Sequence, residues 1–268
     1  KPSSAASDVY KRQVPERAKK LIKHFWPGPL TIILFVKEGT LPDAVTGGLP
    51  TAAFRCPNDD MTHDLISGLG KPIVGPSANT STKPSPTTAE HVFHDLKGKI
   101  AGIIDNGPTE IGLESTIVDL SVEKPTVLRP GEITPEEISA VLGEEVLMNR
   151  GTTQTKGVPK APGMKYRHYA PSAPVLIVDK EEDFSKIQWD DETGVAALDE
   201  VLEKIDSPNK YSLGKTIDKA AHNLFGALRY FDGEDKIKRI YVQGFDHGAI
   251  SAAYMNRLNK AAAGHHFH

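Results

Sequence analysis

The sequence predicts an α/β protein of two domains, the second of them small and doubly wound. Three observations carry this. The chain has 268 residues, enough for two domains at roughly 100–200 residues each. Short β-branched runs and amphipathic helical stretches occur on both sides of a single interruption. That interruption, 148–173, has no hydrophobic period and holds Gly151, Gly157, Pro159, Pro162, Gly163 and Pro171, the composition of a linker.

The elements follow in order. "PERAKKLIKHFW" (15–26) places Pro near a helix start and Ala18, Leu21, Ile22 and Phe25 at helical spacing. After a Trp-Pro-Gly turn, "PLTIILFV" (29–36) reads as a buried strand, and "TAAFRCP" (51–57) as another, closed by Pro57. "DMTHDLISGLG" (60–70) is a helix ending at Gly68 or Gly70. "PIVGPSAN" (72–79) reads as a strand running into a turn, followed by the Ser/Thr/Pro-rich loop "TSTKPSPTT" (80–88) and a short helix through His94. "AGIIDNG" (101–107), "STIVDL" (115–120) and "PTVLRPG" (125–131) are three further strands. "TPEEISAVLG" (134–143) carries a capping box, with Thr134 at the N-cap, Pro135 at the first helical position and Glu137 three residues on.

Beyond the linker, "APVLIVD" (173–179) and "TGVAAL" (193–198) look like buried parallel strands. "GKTIDKAAHNLFGALRYFD" (214–232) is an amphipathic helix, "IKRIYVQGF" (237–245) a strand, and 249–262 a final helix. This β/α alternation is that of a doubly wound domain. The tail "GHHFH" (264–268) reads as a frayed terminus rather than a metal site.

Bulk properties exclude several classes. Apolar residues make up 38% and charged residues 25%, as in soluble globular proteins. The net charge of −3 means that any nucleic-acid contact rests on a local patch. A lone cysteine, Cys56, excludes an internal disulfide framework and a multi-cysteine zinc site, and suits a reducing compartment. No apolar run reaches the ~18 residues of a membrane helix, and the N-terminal stretch is polar, without a signal peptide.

Five stretches offer chemistry. In "GPSANTSTKPSPT" (75–87), Gly75 and Pro76 bend the chain, and Ser77, Asn79, Ser81 and Ser85 offer hydroxyl and amide groups to a polyanion. Read alone, it is equally a surface loop, and it lacks the Gly-Lys-Ser/Thr ending of a P-loop. Arg55, closing "TAAF", can clamp a carboxylate with two parallel hydrogen bonds, or simply be a solvated strand end. In "GLESTIVDL" (112–120), Ser115 and Thr116 open a strand where a ligand can meet their hydroxyls. Arg129 in "VLRPG" leaves the core at a defined place, suiting a phosphate contact or packing its stem on the sheet. In "KYRHYAP", Tyr166 or Tyr169 can stack on a purine, with Lys165, Arg167 or His168 near phosphates. No nucleophile elbow, metal-binding His motif or convincing pair of catalytic carboxylates is present, so no catalytic residue and no metal ligand is assigned.

Taken in order, "FWPGPLTIIL", "GGLPTAAFRCPND", "PIVGPSANTSTKPSPTT", "IIDNGP", "GLESTIVDL", "VLRPGEIT" and "APGMKYRHYAPSAPV" resemble the threonylcarbamoyl-AMP synthase family in its two-domain form. The resemblance implies a twisted mixed-sheet YrdC-like domain over 14–147, a linker and lid over 148–173, and a smaller Rossmann-like parallel domain over 174–268. Residues 1–13 match nothing expected. The family's "PTET-VYGLG"-like segment and basic Lys-x-Arg motif are incomplete here, so the first domain is expected to be N-terminally truncated. The implied reaction joins L-threonine, bicarbonate and ATP into threonylcarbamoyl-AMP and pyrophosphate, with Mg2+ accompanying ATP. By resemblance, Arg55, Gly75 and Ser115 bind L-threonine. Thr51, Ser77, Asn79, Ser85, Arg129 and Tyr166 bind ATP, and Lys165, Arg167 and His168 form the lid. The implied setting is the cytoplasm, without membrane contact, upstream of tRNA and the threonylcarbamoyl-transferase machinery. The competing expectation is an RNA-binding or regulatory module of the same fold without synthase activity.

Overall fold

The computed structural model describes residues 14–149, 169–248 and 250–268. They form two compact units. The first takes in 14–76 and 114–149, the second 77–113 and 169–268.

The first unit is built on a five-stranded mixed sheet. Its strands are β1 (Leu30–Phe35), β2 (Thr51–Arg55), β3 (Thr116–Asp119), β4 (Thr126–Arg129) and β5 (Leu147–Met148), in the order β2-β1-β3-β4-β5. β1 runs antiparallel to β2 and parallel to β3. β4 is antiparallel to β3 and parallel to β5. Two helices, α1 (Glu16–Phe25) and α5 (Pro135–Leu142), cover one face. Ala18, Leu21, Ile138 and Leu142 pack there against Leu30, Ile32, Leu34, Val118 and Val127, all buried. Strand alternation turns Thr31, Ile33 and Phe35 to the other face. The capping box of α5 forms as the sequence requires: Thr134 Oγ1 accepts the Glu137 N–H and the Glu137 carboxylate accepts the Thr134 N–H.

Between these strands lie α2 (Asp43–Thr46) and α3 (Asp60–Leu69). Asp59 caps α3 by accepting the Thr62 N–H, and Gly70 ends it in the left-handed conformation, φ 66°.

Two of the expected strands are corrected. Neither 72–79 nor 101–107 is a strand. Ile73, Val74 and Ile104 are 44%, 66% and 65% exposed. Their β-branched composition favours a strand, but a strand also needs a neighbour to take its N–H and C=O groups. Among the described residues no strand pairs with either segment.

The second unit carries a four-stranded parallel sheet: β6 (Val175–Val178), β7 (Thr193–Ala197), β8 (Lys210–Ser212) and β9 (Arg239–Gln243), in the order β6-β9-β7-β8. α7 (Ile217–Asp232) and α8 (Ser251–Ala261) pack on one face with Ile177, Ala196, Ile240 and Val242. A 3-10 turn (Glu181–Lys186) and α6 (Asp199–Leu202) pack on the other with Val178, Val195, Ala197 and Tyr241. Helical cover on both faces is what buries strands that are apolar throughout. The segment 77–113, with its helix α4 (Ala89–Leu96), belongs to this unit: Leu113 lies in the same core as Tyr169 and Phe225.

The tail is not frayed. The Ile177 N–H donates to the His265 carbonyl and the Phe267 N–H to the Ile177 carbonyl, so 265–267 extends the sheet beside β6. Phe267 packs edge-on against Tyr241, and His266 bonds Asp179 at 2.7 Å.

Candidate active site

In the first unit the site grows from strand register. Thr31 on β1 faces Arg55 on β2 and Ile117 on β3, and Ile117 faces Arg129 on β4. Partners across a sheet present side chains to the same face. Arg55, Thr31 and Ile117 therefore form one row on the face opposite α1 and α5, and a register shift between β3 and β4 brings Arg129 into it from the fourth strand. Ser115 joins them from just ahead of β3. Its hydroxyl lies 2.8 Å from Thr31 Oγ1 and accepts from Arg129 Nη2 at 3.1 Å, while Arg129 Nε donates to the Ser115 carbonyl at 3.0 Å. Ser115 is only 4% exposed. With Thr31 as the donor, the Ser115 O–H is left for an acceptor such as a ligand carboxylate.

A tight crossing holds this arrangement. The turn after Arg129 passes directly over the start of β3. A β-carbon on Gly131 would lie 2.4 Å from the Thr116 nitrogen and 2.8 Å from the Glu114 carbonyl oxygen, so only glycine fits. The Thr116 hydroxyl then donates to the Ile133 carbonyl at 2.6 Å. Arg55 keeps a large accessible surface, yet enough protein surrounds it for burial to lower its pKa. An arginine stays charged at any ordinary pH regardless.

Other expected residues are placed differently. Thr51 is buried at the start of β2, opposite Phe35 and roughly 13 Å along the strand from Arg55. Gly75 lies in the exposed extended stretch before Pro76, with open space where a β-carbon would go. No hydrogen bond joins it to Arg55 or Ser115 among the described residues.

Ser77, Asn79 and Ser85 belong to the second unit. Ser77 is exposed and Ser85 is buried. The Asn79 side-chain amide donates to the carbonyls of Thr80 and Lys83, folding the loop back on itself, while its buried Oδ1 has no partner among the described residues. A ligand O–H or N–H would satisfy that oxygen. The loop also holds Thr82 at φ 76°, a left-handed conformation that β-branched residues strongly avoid.

The lid residues Lys165, Tyr166, Arg167 and His168 lie outside the described residues. Tyr169 lies inside them and is committed to the core: it is 5% exposed, with its ring 5.0 Å from that of Phe225. It is not placed to stack on a nucleotide. Thr31 escapes a reading of the sequence alone, its one signal being that it is the only polar residue of the apolar strand β1.

Two family models match the chain. One, described as "Telomere recombination", matches residues 2–131, beginning ahead of Val14, where the recognisable motifs start. The other, described as "Threonylcarbamoyl-AMP synthase, C-terminal domain", matches 133–263. A threonylcarbamoyl-AMP synthase of Pyrococcus abyssi is 42% identical over 263 residues, covering 95% of this chain and 76% of that protein. One of Bacillus subtilis is 44% identical over 258 residues, covering 93% and 74%. The crystal structure of P. abyssi Sua5 complexed with L-threonine superposes with a TM-score of 0.87 at 39% identity, over 98% of this chain and 79% of that one. With two adjoining family matches and this identity over most of its length, the chain belongs to the threonylcarbamoyl-AMP synthase family.

Proposed function

We propose that this chain forms threonylcarbamoyl-AMP and pyrophosphate from L-threonine, bicarbonate and ATP. The observation that carries the reading is the row of Arg55, Thr31, Ile117 and Arg129, with Ser115 hydrogen-bonded to both Thr31 and Arg129. It sets two cations and two hydroxyls on one sheet face, a match for one carboxylate and one polyphosphate.

The chemistry needs no enzyme nucleophile. The threonine nitrogen attacks bicarbonate, losing water, to give a carbamate. A carbamate oxygen then attacks the α-phosphorus of ATP and pyrophosphate leaves. The protein's work is to hold reactants in line and to neutralise charge. In this reading Arg55 and Ser115 hold the threonine carboxylate with Gly75 nearby, and Arg129 meets the phosphates. Thr51, Ser77, Asn79 and Ser85 line the nucleotide, and Tyr166 closes over it with Lys165, Arg167 and His168.

Mg2+ enters with ATP as its counter-ion. Among the described residues no three His, Cys, Asp or Glu side chains gather into a cage. None is needed, since Mg2+ keeps several waters and takes phosphate oxygens. The product is a mixed carbamic–phosphoric anhydride, and a transferase acting on tRNA consumes it. We place the reaction in the cytoplasm, beside the tRNA that its product serves.

Pyrophosphate release with L-threonine, bicarbonate, ATP and Mg2+ tests the reading. Arg55→Ala should raise the KM for L-threonine about tenfold or more and leave that for ATP nearly unchanged, whereas Arg129→Ala should raise the KM for ATP about tenfold or more and, by releasing Ser115, that for L-threonine several-fold. No pyrophosphate from the unaltered chain, together with salt-sensitive tRNA binding, would favour the RNA-binding alternative.

A further inference from the structure

The last turn of α7 grips the loop 80–85. Arg229 and Asp232 are three residues apart and so share a helix face. Arg229 Nη2 donates to the Pro84 carbonyl at 2.6 Å, and its Nε reaches the Ser85 carbonyl at 3.4 Å. The same guanidinium forks onto Asp95 of α4, at 3.2 and 2.9 Å, and Asp95 Oδ2 accepts the Thr80 N–H at 2.8 Å. Asp232 takes Lys83 Nζ at 2.8 and 2.9 Å and the Ser172 N–H at 2.6 Å. The Ala170 N–H donates to the Thr82 carbonyl at 3.0 Å, so the chain at 170–172 is tied into the same knot.

This clamp is buried and oriented. The side chains of Arg229 and Asp95 are 7% and 3% exposed. It also has something to hold. The left-handed Thr82 persists only if its surroundings over-determine it, at a cost of order 1–3 kcal/mol. Thr80, Thr82, Lys83, Pro84 and Ser85 are each tied by one of these bonds. Burial pushes the Asp95 pKa up, but hydrogen bonds from Arg229, His94 and the Thr80 N–H hold it well below the usual carboxylate range, so the anchor stays charged.

We infer that Arg229 and Asp95 are positioning residues for the nucleotide: through them helix α7 sets the shape of the loop that carries Asn79 and Ser85. The inference rests on the reading that this loop contacts ATP. It gives residues of the second family match (133–263) a task in the chemistry of the first (2–131).

The test compares Arg229→Lys, which keeps the charge and loses the fork, with Ser85→Ala, which probes the loop's contact with ATP directly. Arg229→Lys should raise the KM for ATP about tenfold, leave the KM for L-threonine within about twofold, and speed hydrogen exchange in 77–88 with β6–β9 still protected. Asp95→Asn should give the same split. If Ser85→Ala weakens ATP binding while Arg229→Lys and Asp95→Asn leave it unchanged, the positioning role is overturned and the ATP loop stands. If neither Ser85→Ala nor Arg229→Lys alters ATP use, the loop is not the ATP site and both readings fall. Should the Arg229 and Asp95 variants not fold, Lys83→Met, which cuts the more exposed strap to Asp232 and Ser172, decides by the same KM split.

Discussion

Thr31 and Ser115, 84 residues apart in the chain, meet hydroxyl to hydroxyl at 2.8 Å on the helix-free face of the first sheet. The contact follows from the parallel register of β1 and β3. It makes the one polar residue of an apolar strand the partner of the serine that Arg129 also holds. Thr31→Val keeps the β-branched shape and removes the hydroxyl. It should cost about 1 kcal/mol of stability or less and raise the KM for L-threonine several-fold, about the worth of one hydrogen bond. Urea unfolding and initial-rate kinetics measure the two effects, and an unchanged KM would separate Thr31 from the site.

The close crossing at Gly131 sets a second expectation. A methyl group there meets backbone atoms at 2.4 and 2.8 Å, which cannot rotate away. Gly131→Ala should destabilise the first unit by about 1–3 kcal/mol, as overpacking does. By shifting the turn that carries Arg129, it should also lower kcat/KM for ATP. Normal stability with normal kinetics would show that the crossing can open.

Tyr169 sits against Phe225 in the second core. Tyr169→Ala should cost about 3–5 kcal/mol, the usual range for deleting a buried aromatic. A denaturant midpoint close to that of the unaltered chain would argue against its burial.

Asp95 gives a pH dependence of known sign. Its folded pKa lies below the ordinary carboxylate value, because Arg229, His94 and the Thr80 N–H outweigh the opposing effect of burial. Its contribution to stability is therefore fully present above the unfolded pKa of about 3.9 and is lost as pH falls through the folded value. Asp232, lowered in the same direction by Lys83 and Ser172 against burial, adds to the same limb. Asp95→Asn should cost about 3–5 kcal/mol near pH 7, because it strands a buried Arg229. The gap to the unaltered chain should shrink below about pH 4. A gap constant from pH 7 to pH 3 in urea titrations would contradict this.

Most elements were legible in the sequence because local rules suffice for them. The capping box at Thr134, the glycine stop at Gly70, the helical period of 15–26 and the apolar runs of β1, β6 and β7 each act within a few residues. The positions of Arg55, Ser115 and Arg129, at the end of a strand or beside one, were legible for the same reason. Where local composition and long-range partnership part company, the sequence alone is not enough. Segments 72–79 and 101–107 have strand composition but no ladder partner among the described residues, and partnership is a property of the whole sheet.

The sequence by itself determined the two-part α/β plan and the residue types available for binding a carboxylate and phosphates. Only the tertiary structure decided that Arg55, Thr31 and Arg129 share a row, since register is set by pairings between distant strands. It likewise decided that Tyr169 is core and that Asp95 faces Arg229, 134 residues away. A buried charge needs a partner of opposite sign, but the chain's own order does not say which distant residue the packing will bring to it.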